Sequence, residues 1–243
     1  MLRRAPLAVI ICLTMLSGCA ALKAAPSKGA GFVPVQQMAK HEDLPFNKVW
    51  VRDDLNWKNY QAIHIKPVNT DYLLQASDWQ EHFRKEKMQE DARDIARYME
   101  TRFKEAFRND AKRHFRVVDS PQPGSLTLEL ALTELVPSNV ALEVLGYAPY
   151  GGGAAVKMLE RATGAVSTVA FEAKVKESAS GKTVALFADR EQQKFAPVDL
   201  RALTWYGNAK RIIDEWADQF VEVANREPGE SVKESSPFTL LPF

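Results

Sequence analysis

Cysteine, whose thiolate acts as a nucleophile or a metal ligand, occurs at two positions of this 243-residue chain, Cys12 and Cys19. The tripeptide Leu-Ser-Gly at residues 16–18 precedes Cys19 and ends a short apolar run that begins just after Arg3 and Arg4. Two positive charges, roughly a dozen mostly apolar residues and then small residues are typical of an export signal. The chemistry of the thiol at the end of this signal therefore decides where the protein works.

Three other interpretations of the first residues are open. A membrane-spanning helix needs roughly 20 apolar residues, whereas residues 5–18 number only 14 and include Pro6. The adjacent arginines alone do not make a twin-arginine export signal, because the surrounding pattern is missing. A soluble export signal that is cut after Ala20 or Ala21 is the closest alternative.

The remaining residues form no recognisable catalytic or metal-binding motif. The histidines include no pair spaced four residues apart, as two zinc ligands on one helical face would be, and there is no Gly-x-Ser-x-Gly sequence. Paired acids such as Glu42 and Asp43 fall in a predicted loop, where solvated charge is the ordinary interpretation. We therefore expect no catalytic residue, no metal and no cofactor. The histidines are His41, His64, His82 and His114.

One short stretch resembles the end of a phosphate-binding loop. Gly181, Lys182 and Thr183 match the last positions of the Walker A motif. Lys176 stands where that motif needs its first glycine, and strand-like sequence follows where the motif needs a helix. The stretch therefore predicts a hairpin turn.

The composition is that of a folded domain without a charge bias. Lysine and arginine number 32 against 31 aspartates and glutamates, and this balance gives no indication of a nucleic-acid partner. Hydrophobic residues make up 46% of the chain, enough to bury a sizeable core. Because Cys12 leaves with the signal, we expect the mature chain to have no disulfide, so that packing alone holds the domain together.

Hydrophobic periodicity predicts the elements of this domain. Leucines at every second position from Leu126 to Leu132 predict a strand at 125–136 with one buried and one partly wet face. A sheet covered on one side only favours antiparallel pairing. Further strands are predicted at 60–68, 115–119, 166–176 and 182–190, with residues 49–51 as a candidate short strand, and amphipathic helices are predicted at 78–109 and 200–225.

These elements together predict an α+β fold. We expect a two-layer sandwich with a mainly antiparallel sheet of four to five strands and two long amphipathic helices on one face. Ser77 and Gln80 have the spacing of a capping box before the first helix. Along the chain, we expect a signal peptide at 1–18, a flexible tether at 19–31, a single domain at 32–226 and a disordered tail at 227–243.

The segment 137–164 is the stretch that most suggests an interaction. It carries 13 uncharged residues between Glu143 and Lys157 and contains the run Gly151, Gly152, Gly153 and Ala154. One interpretation is a connection with a short helix at 154–162 that packs on the sheet. Another is a surface that meets the membrane or a partner chain, because glycine and alanine let another backbone approach closely. A third, strands that insert into a membrane within an oligomer, is disfavoured by three consecutive glycines.

The four residues that end the signal, Leu16-Ser17-Gly18-Cys19, resemble the lipobox of bacterial lipoproteins. This resemblance implies that the Cys19 thiol is diacylated, that the preceding peptide is removed and that the new amino terminus is acylated again. Two or more acyl chains hold a protein persistently in a bilayer. Ala20 at the second mature position implies the outer membrane, on its periplasmic face.

Several short stretches spread over the mature chain resemble the bacterial lipoproteins grouped as domain of unknown function 3313. The chain departs from that family's pattern at Lys66 and Glu177, where aspartate is expected. The resemblance supports the outer-membrane location and the α+β fold, and it implies no assigned activity. The matching stretches are residues 55–60, residues 63–68, the hairpin residues 178–182 and residues 209–217.

The sequence leaves three functions open. The first is a non-catalytic interaction or assembly module of the cell envelope, with an envelope protein as its partner. The second is a hydrolase of cell-wall or lipid substrates, which needs a cavity lined by convergent polar side chains. The third is a carrier, which needs a dry apolar cavity between sheet and helices.

Overall fold

The computed structural model of the chain describes residues 24–76, 85–136, 167–192, 206–227 and 229–236. Within these residues, six strands form one sheet and three α-helices are present. The strands are β1 (Lys48–Val51), β2 (Ala62–Ile65), β3 (Arg116–Val118), β4 (Ser125–Val136), β5 (Thr168–Glu177) and β6 (Thr183–Gln192). The helices are α1 (Asp71–Ala76), α2 (Lys85–Arg108) and α3 (Gly207–Asn225).

The sheet is mixed, which corrects the expectation of four to five mainly antiparallel strands. Its strand order is β1-β6-β5-β4-β2-β3. β4, β5, β6 and β1 pair antiparallel, whereas β2 is parallel to both β3 and β4. The β2–β3 pair is parallel because α2 lies between these strands in the chain, and a helical crossover returns the next strand in the same direction. The sixth strand is the short β1, which lies at the edge beside β6.

One face of the sheet, called here the helix face, carries an aromatic core. Phe220 of α3 contacts Phe171 of β5 and Phe187 of β6, with ring centroids 5.6 and 5.1 Å apart. Phe103 of α2 also contacts Phe220, with ring centroids 5.2 Å apart. The apolar stripes of α2 and α3 therefore share one core with this face of the sheet.

The opposite face, called here the outer face, is partly covered by the residues before β1. Val33, Val35 and Met38 pack with Leu186 and Ala188 of β6 in a second, smaller apolar cluster. The expectation of a sheet covered on one side only therefore needs correction. These apolar residues have neither a strand period nor a helix period, so periodicity gave no sign that the segment packs.

The two ends of the sheet serve to orient the molecule. At one end, called the Thr168 end, Val136 pairs with Thr168 and Thr168 pairs with Gln192. At the other, the Glu177 end, Leu126 pairs with Glu177, which leads into the hairpin turn before β6. β4 ends and β5 begins at the Thr168 end.

The predicted elements are confirmed to different extents. β4 spans the predicted residues 125–136, and β5 and β6 form the predicted hairpin. Gly181 lies in its turn with a φ of +69°, so the Gly-Lys-Thr stretch is a hairpin turn, as predicted. The capping-box residues Ser77 and Gln80 lie outside the described residues. Among the described helices, none combines the length and the hydropathy that crossing a membrane requires.

Candidate functional site

The predicted site residues lie outside the described part of the chain. Cys19 precedes Ala24, the first described residue, by five positions. The predicted partner surface, Gly151 to Ala154, falls between Val136 and Ser167. The described residues nearest to Cys19 are therefore the ones that connect the predicted anchor to the folded domain.

Glu172 of β5 fixes this connecting segment to the outer face. Its two carboxylate oxygens accept hydrogen bonds from the backbone N–H groups of Ala30 (2.5 Å) and Val33 (2.6 Å). The Glu172 side chain is completely buried. A buried carboxylate is costly unless it is hydrogen-bonded, and bonds to a charged acceptor are stronger than neutral ones. Glu172 thus holds residues 30–33 against the sheet, and this arrangement is called here the Glu172 clamp.

Aromatic and aliphatic contacts support the Glu172 clamp on both sides. Phe32 packs edge-on against Tyr72 of α1, with ring centroids 5.2 Å apart, and Lys174 Nζ lies 4.2 Å from the centre of the Phe32 ring. Gly29 has a φ of +90°, and a Cβ placed there would lie 2.3 Å from a methyl carbon of Val35. Only glycine fits that position, because both its backbone angle and the available space exclude a side chain.

Arg190 of β6 makes a second contact with the connecting segment. Its guanidinium donates two hydrogen bonds to Glu134 of β4, each 2.8 Å long, and a third of 3.2 Å to the carbonyl oxygen of Ala25. A bidentate pair of this kind is geometrically specific. Arg190 lies two residues before the end of β6, so Ala25 is held near the Thr168 end.

A second polar cluster lies at the Glu177 end of the sheet. Glu177 accepts hydrogen bonds from Ser180 Oγ and Tyr60 Oη at 2.8 Å and from Arg52 Nη1 at 3.0 Å. The bond from Ser180, followed by those from Tyr60 and Arg52, lowers the pKa of Glu177 to about 2. A carboxylate with so low a pKa is a weak general base, and at neutral pH it has no proton to donate as a general acid. The cluster instead ties the β5–β6 turn to the residues around β2.

Lys66, the other departure from the family pattern, is also part of an ion-paired group. Its ammonium lies 2.8 Å from Glu129, which a second ammonium, that of Lys176, approaches to 2.7 Å. Burial raises the pKa of Glu129, but the hydrogen bonds from Lys176 and Lys66 outweigh it and lower the pKa overall. Both residues that depart from the family pattern, Lys66 and Glu177, are therefore engaged by neighbouring side chains of the domain.

Asp189 of β6 is a titratable residue that sequence reasoning missed. Its side chain is buried on the helix face, where it accepts hydrogen bonds from Trp216 Nε1 (2.8 Å) and from the backbone N–H (3.0 Å) and side-chain amide of Asn47. Burial raises the pKa of Asp189 to about 6, although these donors favour the ionised form. The strand period could have revealed its burial, because Asp189 lies two residues after Phe187 and four after Ala185, on the face of β6 that points toward the core.

Two of the described histidines lie close to backbone carbonyl groups. His64 Nδ1 lies 3.2 Å from the carbonyl oxygen of Val118, and His114 Nε2 lies 3.4 Å from that of Trp57. In the part of the chain that the structure describes, no three metal-ligating side chains come together.

A family model for a protein of unknown function, DUF3313, matches residues 28–220. The chain belongs to the DUF3313 family. This confirms the resemblance found in the sequence, and the family description assigns no activity. No curated protein matches the chain significantly.

Three solved structures are distantly similar to this DUF3313 chain. A PelC dodecamer from Paraburkholderia phytofirmans that carries one substituted residue is 8% identical, with a TM-score of 0.39, and the match covers 72% of this chain and 96% of that one. A second PelC dodecamer from the same organism is 9% identical, with a TM-score of 0.37, and the match covers 70% of this chain and 95% of that one. Protein XCC0632 from Xanthomonas campestris, of family DUF330, is 10% identical, with a TM-score of 0.30, and the match covers 74% of this chain and 94% of that one. Similarity at this level carries no inference about function or assembly.

The DUF3313 match includes the Glu172 clamp and excludes the predicted lipobox. It begins at residue 28, two positions before Ala30, and ends at residue 220 within α3. The clamped segment therefore belongs to the family domain. The linker between Cys19 and that domain is correspondingly short.

Proposed function

We propose that this DUF3313 protein is a lipoprotein anchored through Cys19 to the periplasmic face of the outer membrane. Its domain serves as a non-catalytic interaction or assembly module of the envelope, and its partner is another envelope protein. The observation that carries this proposal is the sequence Leu16-Ser17-Gly18-Cys19, which ends eleven positions before Ala30, the first residue that the Glu172 clamp holds.

The placement of the carboxylates favours a non-catalytic role over a hydrolase. A general acid or base needs a pKa near the working pH and access to its substrate. Glu177 has a pKa of about 2 and three hydrogen-bond donors, while Asp189 has a pKa of about 6 but a side chain enclosed in the core. Each of these residues meets at most one of the two requirements.

The packing of aromatic rings favours an interaction module over a carrier of apolar ligands. Phe46 lies 4.8 Å from Phe220 and 5.4 Å from Phe187, and Trp216 lies 4.6 Å from Phe171, measured between ring centroids. All of these side chains are buried. Rings at such distances are in contact, so this part of the space between sheet and helices is occupied by the protein's own side chains.

Replacing Cys19 by alanine tests the anchor. Mass analysis of the native mature protein is expected to show a chain that begins at Cys19 and carries acyl groups. We expect Cys19→Ala to keep its leader and to disappear from the outer-membrane fraction. Cys12→Ala is the matched control, because Cys12 is removed with the signal and its loss leaves processing unchanged. Unchanged recovery of Cys19→Ala with the outer membrane would contradict the proposal.

Crosslinking in intact cells, followed by mass spectrometry, tests the interaction role. The native protein is expected to give one reproducible envelope partner. That crosslink should weaken in Cys19→Ala, since a protein that is absent from the outer membrane meets a partner there less often. The absence of a reproducible partner for the native, correctly anchored protein would argue against an assembly module.

A further inference from the structure

The direction of the connecting segment on the outer face shows where the mature amino terminus emerges. Phe32 lies beside Lys174, the Glu172 clamp holds Val33 and Ala30, and Ala25 is bound by Arg190. β5 runs from Thr168 to Glu177, and Arg190 pairs with Ala170 near its beginning. Followed backwards from Phe32 to Ala25, the chain therefore climbs toward the Thr168 end of the sheet.

The length of chain beyond Ala25 limits how far the domain can be from its anchor. Six residue steps lead from Cys19 to Ala25, with five residues between them. Fully extended they span about 20 Å, and as a flexible coil their mean reach is about 13 Å. The sequence alone allowed a tether through residue 31, with a mean reach of about 20 Å. The Glu172 clamp and Arg190 shorten the free part of the tether by half.

The domain is longer than this tether. β5 has ten residues, so the Glu177 end lies about 30 Å from the Thr168 end. With Cys19 in the bilayer and Ala25 bound near the Thr168 end, the short tether keeps that end beside the lipid surface. The Glu177 end then reaches away from it.

From this geometry we infer that the domain stands on the membrane with the Thr168 end of its sheet against the phospholipid surface and the Glu177 end pointing into the periplasm. This inference rests on the proposed lipid anchor. It adds an orientation, and it leaves the Glu177 end and the helices exposed to a partner protein.

Fluorescence energy transfer to the bilayer tests this orientation. The mature domain contains no cysteine besides the acylated Cys19, so single cysteines introduced elsewhere can be labelled selectively. The full lipidated protein, reconstituted in vesicles of phosphatidylethanolamine and phosphatidylglycerol with a rhodamine-labelled lipid, would carry fluorescein at Gln192→Cys or at Ala179→Cys. Ala25→Cys is a second probe of the Thr168 end, should labelling at Gln192 disturb the strand.

Transfer is expected to be strong from Gln192 and Ala25 and weak from Ala179, which lies in the turn at the Glu177 end. Exposed probes at Gln36→Cys on the outer face and Arg97→Cys on α2 report the two sides. Strongest transfer from Gln36 or from Arg97 would mean that the domain lies on a face, and equal transfer from Gln192 and Ala179 would mean that it tumbles. Each of these results overturns the orientation.

Loosening the Glu172 clamp tests whether the clamp causes this orientation of the domain. Glu172→Gln places an amide N–H against one of the two backbone donors, so it should free residues 24–33 and reduce the difference between Gln192 and Ala179. Glu129→Gln is the matched control, because Glu129 lies on the same strand pair but bonds Lys66 and Lys176. An undiminished difference in Glu172→Gln would overturn the role of the clamp.

Mass analysis of the same samples separates this inference from the proposed function. An unmodified Cys19 would refute the lipid anchor and the orientation built on it. An acylated Cys19 with no difference between the probes would refute the orientation alone.

Discussion

Asp189 carries a carboxylate into the core, where its surroundings oppose ionisation. Water is replaced by the indole N–H of Trp216 and by two N–H groups of Asn47. These donors stabilise the charge only in part, since burial still raises the pKa to about 6. The native state therefore holds a proton at a pH where an unfolded aspartate, with a pKa of about 3.9, has lost it.

This difference predicts a stability that falls as the pH rises. Between about pH 4 and pH 6 the native state binds the extra proton, so ionisation of Asp189 costs up to about 3 kcal/mol of unfolding free energy over that range. Asp189→Asn cannot ionise. Urea denaturation at several pH values should show the native protein losing stability relative to Asp189→Asn across this window. A constant difference between the two proteins would contradict the assignment.

Glu177 has the opposite shift and predicts the opposite trend. Its pKa of about 2 lies below that of an unfolded glutamate, about 4.3. Its contribution to stability is therefore complete above about pH 5 and is lost as the pH falls toward 2. Glu177→Gln should show a smaller loss of stability on acidification. Glu222→Gln, at an exposed site on α3, serves as the control and should follow the native protein.

At the scale of elements, α2 and α3 lie side by side in the same direction. Tyr98 and Arg102 of α2 bond Asp214 of α3, and Arg102 also bonds Asp218 one turn later. Burial, with help from the bond to Asp214, raises the pKa of Tyr98 to about 12. These polar contacts fix the register of two helices whose apolar sides share the aromatic core.

Phe220 is the residue that joins these elements most directly. Its ring contacts Phe103 of α2, Phe171 and Phe187 of the sheet, and Phe46 before β1. Phe220→Ala should lower the unfolding free energy by about 3–5 kcal/mol, since it removes a buried ring and leaves a cavity. Thermal and urea unfolding would measure this loss, with Glu222→Ala on the exposed side of α3 as the control. A loss below about 1 kcal/mol would mean that the core is not filled by these rings.

At the scale of the whole molecule, segments near both ends of the chain pack on the domain. After α3, Val232 is buried and its N–H bonds the carbonyl oxygen of Asp43, while Gln219 donates to Ser235. Arg226 also pairs with the Asp43 carboxylate, and its hydrogen bond lowers the pKa of that group. Residues 229–236, expected as part of a disordered tail, thus lie on the domain, whereas residues 237–243 are outside the described chain.

Truncation tests the contribution of this segment. A chain that ends after Glu227 should be about 2–3 kcal/mol less stable than one that ends after Ser236, because it loses the burial of Val232 and two hydrogen bonds. Both chains lack residues 237–243, so the comparison isolates residues 228–236. Equal unfolding midpoints in urea would show that the segment adds no stability.

The sequence by itself determined most elements of this protein, though not the short helix α1, and the resemblance that places it in its family. The leucine alternation in β4, the hairpin at Gly181 and the stripes of the two long helices follow from local periodicity, which every residue of an element shares. The lipobox, likewise, is a contiguous pattern, and the address it implies is still a prediction.

Only the tertiary structure decided which segments lie against which. The parallel pairing of β2, the burial of Asp189 and the Glu172 clamp join residues that are distant in the chain, and Ala30 bonds a side chain 142 positions away. Segments 24–39 and 229–236 have no period of their own, so nothing local indicates that they pack. Their positions follow from the surfaces that the sheet and helices create once they have assembled.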